Sequence, residues 1–194
     1  MNRWTKRALI VGAPIAALTL GSTVGGAAGG ADATAVLRDA TGAEVGTVKV
    51  VASPNSAEVV AYLKGPGGAR PGFHGFHIHS KGVCDPAAVD PAGAVVPFFS
   101  AGGHLGNTEG QLHPGHDGDM PSLLVTGNGT AQLRFKTDRV TLAKIFDADG
   151  SAVIVHAGPD NFANIPLRYS PTGPDTTTLN TGDSGGRVVC GVFQ

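Results

Sequence analysis

Beyond Arg3, Lys6 and Arg7 the chain has no run of lysine or arginine. Only 15% of its residues are charged, and the formal net charge is -1. A nucleic-acid-binding chain carries a basic face or stripe, so no nucleic-acid partner is expected. Cysteine is nearly missing: Cys84 and Cys190 are the only two thiols, which leaves a single connectivity if they pair. No apolar stretch reaches the ~20 residues a membrane helix needs; the run from Ala8 to Leu20 falls short of it. Stable membrane insertion is therefore not expected. No internal repeat or low-complexity tract follows residue 31, which excludes a repeat architecture. What is present is enough apolar sequence, 41% of 194 residues, for one sizeable core. The 30 glycines and 13 prolines call for many turns and long loops between short strands, with little helix.

Residues 1–31 read as an export signal preceding a single domain over 32–194. Arg3, Lys6 and Arg7 form a basic head, Ala8 to Leu20 an apolar centre, and Gly21 to Ala31 a nearly all-small tract suited to cleavage. An uncleaved anchor is the rival reading. No cysteine follows the apolar centre, so a lipid has no attachment point there. The expected destination is the cell envelope or the exterior. In such an oxidising compartment Cys84 and Cys190 would be free to pair, and closing a loop of that length is worth about 4–5 kcal/mol in the entropic treatment. Two buried free thiols are the alternative.

From Ala33 onward the pattern is strand, turn, strand. Ala33 to Asp39 and Glu44 to Ala52 flank Ala40-Thr41-Gly42, and Ala57 to Lys64 alternates Val59, Ala61 and Leu63 with Glu58, Tyr62 and Lys64. Gly65-Pro66-Gly67-Gly68 breaks that strand, and the run around His77 is the next one. Ser122 to Val125 and Thr130 to Thr137 flank Gly127-Asn128-Gly129 as a second hairpin, while Val140 to Phe146 reads equally as a helical turn or a strand. Ala152 to His156 and Val188 to Phe193 are strands. Two long segments, Lys81 to Pro121 and Ala157 to Arg187, lack periodicity; loops of that length are functional or disordered. Together these elements imply an all-β antiparallel sandwich or flattened barrel of about eight strands.

All seven histidines fall between residues 74 and 156. His77 and His79 are separated by one residue in a strand, so their imidazoles project to one side, and paired neutral imidazoles suit copper, zinc, iron or nickel. His74, three residues from His77 on the same strand, faces the other way and reads as a structural histidine. His113, His116 and Asp119 follow the pattern H-x-x-H-x-x-D, a spacing at which side chains of one tight turn converge. His104 and His156 complete the group of candidate ligands. A solvated polar loop is the rival reading of the H-x-x-H-x-x-D turn.

Taken in order, Gly75-Phe76-His77-Ile78-His79, Cys84, His104, His113, His116 and Asp119, His156-Ala157-Gly158-Pro159-Asp160-Asn161, and Gly186-Arg187-Val188-Val189-Cys190-Gly191-Val192 resemble a copper/zinc superoxide dismutase of the exported bacterial type. The resemblance runs from about Ala33 to Phe193. It implies an eight-stranded Greek-key sandwich or flattened barrel with two long functional loops, copper and zinc as cofactors, and superoxide as substrate; a homodimer is compatible with it. It implies His77, His79, His104 and His156 as copper ligands, with His104 bridging to a zinc held by His113, His116 and Asp119. Asp160 would then hydrogen-bond one histidine of each metal, the kind of support that fixes ring orientation. Arg187 would hold the anion beside the open copper position, and Cys84–Cys190 would be the intrasubunit disulfide.

By the same resemblance, copper oxidises one superoxide to O2 and reduces a second, which leaves as H2O2 with two protons, one of them delivered by His104. Zinc has no redox role and shapes the loop and His104. Two departures from the family pattern stand out. Only two residues separate His113 from His116, fewer than exported bacterial relatives have there. The segment resembling the electrostatic loop sets Arg168 and Arg187 against Asp160, Asp175 and Asp183, with no lysine. The alternatives carried forward are a copper-only dismutase and a non-catalytic copper-binding or copper-delivery module on the same fold; a plain adhesive sandwich would leave the aligned ligands unexplained.

Overall fold

The computed structural model describes Met1 and residues 32–65, 68–108 and 110–194. Apart from Met1, the expected export segment lies outside these residues, as do 66–67 of the turn after the third strand. No helix among the described residues is long and apolar enough to cross a membrane.

Alternation of small apolar and polar residues builds the first three strands. In β1 (Asp32–Asp39) the side chains of Ala33, Ala35 and Leu37 are fully buried, in β2 (Glu44–Ser53) Val48 and Val50, and in β3 (Ser56–Lys64) Val59, Ala61 and Leu63. Their polar neighbours stay wet, which is the signature of a sheet with one solvated face. The β1–β2 turn closes because Asp39 Oδ1 accepts from the Thr41 and Ala43 amides while Gly42 takes φ +87°. Ladders run antiparallel through a seven-stranded curled sheet in the order β5-β8-β9-β1-β2-β3-β7, with β5 (Phe76–His79), β7 (Thr130–Thr137), β8 (Ala152–His156) and β9 (Arg187–Val192). β4 (Gly72–His74) and β6 (Leu123–Val125) form a separate pair. This is the expected all-β antiparallel architecture.

Two expectations change in detail. The run containing His74 and His77 is one strand in the sequence reading but two in the fold, broken at Gly75, so the described residues form nine strands where about eight were expected. The break has a steric cause: a Cβ on Gly75 would lie 2.5 Å from the Ser184 Cβ, because the chain here passes under the loop and exchanges hydrogen bonds with Gly158 and His156. His74 is therefore on a different sheet from His77. The turn at Gly127-Asn128-Gly129 forms, tied by Thr126, Asn128 and Thr130 side chains, but the strands beyond it pair elsewhere, β6 with β4 and β7 with β3.

The undecided stretch Val140 to Phe146 contains a helical turn, α1 (Leu142–Ile145), capped by the Thr141 side chain. The second long loop hides another, α2 (Thr176–Thr181), capped by Asp175 and ended by Gly182 in the left-handed region. The main core gathers β1 to β3 with Phe76, Ile78, Val153, Val155 and Val189. On the opposite face of β8, Ala152 and Ile154 pack with Phe98, Ala101 and Cys190 under the first long loop. β5 and β8 are thus buried on both faces, one against the core and one against the loops.

Candidate metal centre

β5 positions His77 and His79 by simple alternation: Phe76 and Ile78 enter the core, and the histidines face the loops. The first long loop lies against this strand as an irregular extra ladder. Ile78 N donates to Gly118 O at 2.9 Å and Leu105 N to Ile78 O at 2.8 Å, which sets Asp119 opposite His77 and His104 opposite His79. Gly118 is required there, since a Cβ would collide with the Ile78 carbonyl. His156 closes β8 just after a register shift at Val155, an irregularity that re-aims the side chain and sets it opposite Arg187 of β9.

Each of these rings uses one nitrogen outward. His77 Nε2 donates to Asp160 Oδ2 at 2.8 Å, His79 Nδ1 to Gly102 O at 2.9 Å and His156 Nδ1 to Gly185 O at 3.0 Å. With those N–H groups committed, the inward nitrogens of His77, His79 and His156 carry lone pairs. His79 Nε2 and His156 Nε2 are 3.4 Å apart, and His77 Nδ1 and His104 Nε2 have no hydrogen-bond partner although fully buried. Lone pairs converging without a proton between them repel, and a cation removes that repulsion. His77, His79, His104 and His156 each bring a ligand atom within 4.8 Å of the others.

His104 has a second side. Its Nδ1 lies 2.7 Å from Asp119 Oδ1, and His113 Nδ1 is 3.1 Å from the same oxygen. Asp119 Oδ2 is turned away by the backbone N–H of His116 at 2.8 Å. A second convergent group comprises His77, His104, His113 and Asp119. The expected fourth member, His116, stands with Nδ1 3.0 Å from the other oxygen, Oδ2, and with both ring nitrogens buried and unpaired. The donor set of three imidazoles and a carboxylate suits Zn2+, and the orphaned nitrogens of His113 and His116 fit a cation between them and Asp119.

The two groups are joined by Asp160, whose Oδ1 accepts from His113 Nε2 at 2.9 Å while Oδ2 accepts from His77. Burial holds the His79 and His156 rings well below the usual histidine range, and lowers His77 against the opposing pull of Asp160. Burial also takes His104 down to about 4 despite Asp119. His113 is the exception: burial works against its charge, but Asp119 and Asp160 outweigh it and raise the ring to about 9. Burial thus favours the uncharged, lone-pair form of His77, His79, His104 and His156, which is the form that ligates a metal.

Arg187 is fixed by two carbonyls, donating from Nη1 to Phe98 O and from Nη2 to Gly102 O, both at 2.6 Å. Both acceptors lie on the first long loop, which Cys84 ties to β9 through its bond to Cys190 across 106 residues. The guanidinium opens on a cavity of about 210 Å³ shared with His79, His104 and His156, and among the described residues it is the only permanently charged side chain lining it. A larger groove of about 410 Å³ lies beside the disulfide, away from the histidines.

Every candidate site residue from the sequence thus comes to one place: His77, His79, His104, His113, His116, His156, Asp119, Asp160 and Arg187. His74 joins neither group; its ring spans the carbonyls of His156 and Arg70 at 2.7 Å each, as a structural histidine would. Sequence reasoning missed Phe162, whose ring stacks on His113 at 6.3 Å, and the carbonyls that seat Arg187. Phe162, two residues after Asp160, offered the sole signal, an aromatic residue beside an expected site aspartate.

A family model described as copper/zinc superoxide dismutase matches residues 44–193. The superoxide dismutase [Cu-Zn] of Mycobacterium tuberculosis is 44% identical over 166 residues, covering 82% of this chain and 69% of that protein. The Escherichia coli protein of the same name is 34% identical over 167 residues, covering 82% and 84%. Among solved structures, a Cu/Zn superoxide dismutase from Brucella abortus superposes with a TM-score of 0.65 at 30% identity, covering 84% of this chain and all of that one.

Proposed function

The chain belongs to the copper/zinc superoxide dismutase family, and from that premise we infer the work of its individual side chains. It is an oxidoreductase that acts on superoxide with copper and zinc as cofactors. The inferred copper ligands are His77, His79, His104 and His156, and the inferred zinc ligands are His104, His113, His116 and Asp119. The observation that carries this reading is the set of buried, unpaired nitrogens, His77 Nδ1 and His104 Nε2 on one side and His113 Nδ1 and both His116 nitrogens on the other. Leaving such groups without a partner costs about 1–3 kcal/mol each, and two cations would relieve His77 Nδ1, His104 Nε2, His113 Nδ1 and one of the two His116 nitrogens.

Bound copper supplies the two one-electron steps by which two superoxide anions and two protons become O2 and H2O2. The protein's share is docking, orientation and proton placement. Arg187 offers the N–H groups and positive charge that hold a small anion beside His79, His104 and His156. Its two carbonyl contacts keep the guanidinium from swinging with each turnover. His104 Nε2, unpaired on the cavity side while Nδ1 lies against Asp119, would be the atom to take up a proton whenever it is not holding copper and to hand that proton to the reduced anion. Asp160 fixes His77 and His113 against each other, so the two sites share one orientation.

Metal analysis of the purified protein together with a superoxide-decay assay tests the reading. One copper and one zinc per chain with fast decay is expected. Copper binding without decay would favour a delivery module, and decay with copper alone a copper-only enzyme. His77→Ala and His156→Ala should each abolish decay while the disulfide-linked fold persists; turnover by either variant would put copper elsewhere.

We further propose export through residues 1–31, with the mature chain starting from about Ala28 to Thr34. The Cys84–Cys190 bond supports this, since such bonds persist in oxidising compartments. The intact mass of secreted material reads the cleavage point directly, and a full-length mass there would refute it.

A further inference from the structure

Three of the four inferred zinc ligands sit on the short turn from His113 to Asp119, and the outside of that turn is gripped by a different part of the chain. Arg139, between β7 and α1, donates from Nη1 to Pro114 O at 2.6 Å and to His116 O at 3.4 Å. One residue further along the turn, the Asp117 carboxylate meets Lys144 Nζ at 2.7 Å. Lys144 Nζ also donates to Arg139 O at 3.0 Å, which links the two cations. Contacts at residues 114, 116 and 117 therefore hold the backbone on both sides of His116.

The gripping segment is itself anchored. Val140 and Ile145 are buried in the main core, and Thr141 caps α1 through the Lys144 amide. On its other side Asp117 lies against Gly106, where a Cβ would come within 2.6 Å of Oδ2, two residues beyond His104. The His116 ring, by contrast, has no hydrogen bond at either nitrogen to set its direction. With only two residues between His113 and His116, the turn has little slack, so the direction of His116 follows from where its backbone is held.

We propose that Arg139 and Lys144 are positioning residues for the zinc side of the centre, aiming His116 and Asp119 by fixing the turn that carries them. They touch neither metal nor substrate and act only through that turn. The inference rests on reading His104, His113, His116 and Asp119 as the zinc group. It also gives the shortened turn a means of presenting its ligands that a longer, self-supporting loop would not need.

The test titrates copper-loaded protein with Co2+, which reports ligand geometry through its visible bands, and with Zn2+. Wild type is compared with Arg139→Met, Lys144→Met, the double variant and Arg139→Lys. The double variant should bind Co2+ about 10-fold more weakly, with an altered visible spectrum and a smaller rise in melting temperature on adding Zn2+. The metal-free melting temperature and the copper stoichiometry should stay at the wild-type values. Arg139→Lys should restore part of the affinity, since one donor of the fork is kept. Wild-type Co2+ affinity and spectrum in the double variant would overturn the inference, as would a loss confined to metal-free stability. If the wild-type chain binds neither Co2+ nor Zn2+, the zinc reading fails first and takes this inference with it.

Discussion

His77 and Asp160 share a hydrogen bond from which water is wholly excluded, Nε2–H to Oδ2 at 2.8 Å with both side chains fully buried. The other oxygen of the same carboxylate serves His113. Asp160 further accepts the Phe162 amide at 2.7 Å on Oδ1, so the loop after β8 is folded around it. The orientation of a ring in the inferred copper group and one in the inferred zinc group thus rests on a single side chain. Its carboxyl is held well below the usual range: burial opposes ionisation, but His113 and His77 outweigh it.

Asp160→Asn separates acceptance from shape. The amide has nearly the carboxylate's outline but only one accepting oxygen, so its NH2 must face either the His77 or the His113 N–H. Expected is a loss of about 10- to 100-fold in affinity at one metal site, with a smaller loss at the other. Separate Cu2+ and Co2+ titrations read this; equal wild-type affinities at both would show that Asp160 does not orient the rings.

Gly182→Ala should damage the same joint from the side. Gly182 ends α2 at φ +65°, and a Cβ there would fall on Asp160 Oδ1 and 2.6 Å from His113 Nε2. The left-handed backbone alone costs a non-glycine residue about 1–2 kcal/mol. Thermal unfolding with and without metal should show a loss of stability in both states and a larger one with metal. An unchanged metal-dependent gain would mean the hydrogen bond survives the added methyl.

The strands were legible because their apolar residues keep a period of two, as in Ala33, Ala35 and Leu37, and the candidate ligands because histidine and aspartate recur at short, fixed spacing around β5 and the turn from His113 to Asp119. The break at Gly75 was not legible, since its cause is Ser184, more than a hundred positions away. Neither was the exchange of partners by β6 and β7, which local turn chemistry at Thr126 to Thr130 does not encode. Arg139 and Lys144 carry no motif at all; their role exists only once α1 is packed against the zinc turn. Sequence pattern finds candidate metal ligands more readily than the groups that hold them in place.

Arg187→Ala should lower the dismutation rate about 10²-fold without abolishing it, because the histidine set remains and only the donors facing the anion are lost. Arg187→Lys should fall between the two, since an ammonium keeps the charge but cannot reach Phe98 O and Gly102 O together. Inhibition by azide or cyanide should weaken in parallel. Wild-type inhibition constants in Arg187→Ala would remove the guanidinium from the anion site.

The cavity offers a last prediction, on how substrate arrives rather than how it reacts. Attraction of an anion from a distance requires net positive potential at the mouth, and its signature is a rate that falls steeply with ionic strength. Here the cavity wall contributes one permanent charge, Arg187, which is held inside by the Phe98 and Gly102 carbonyls, and α2 presents Asn180 and Thr181 to the same space. Asp175 and Asp183 bracket that helix and oppose any attraction. The dismutation rate constant should therefore depend only weakly on salt between about 0.01 and 0.15 M, where the screening length falls from about 30 to about 8 Å. Asn180→Lys places a cation on the cavity wall, and should raise the rate severalfold at low salt, introduce a steeper salt slope, and leave the high-salt rate near that of the wild type. A steep slope in the wild type, or an Asn180→Lys variant with no gain at low salt, would show that the field at the mouth is set by charges beyond the cavity wall.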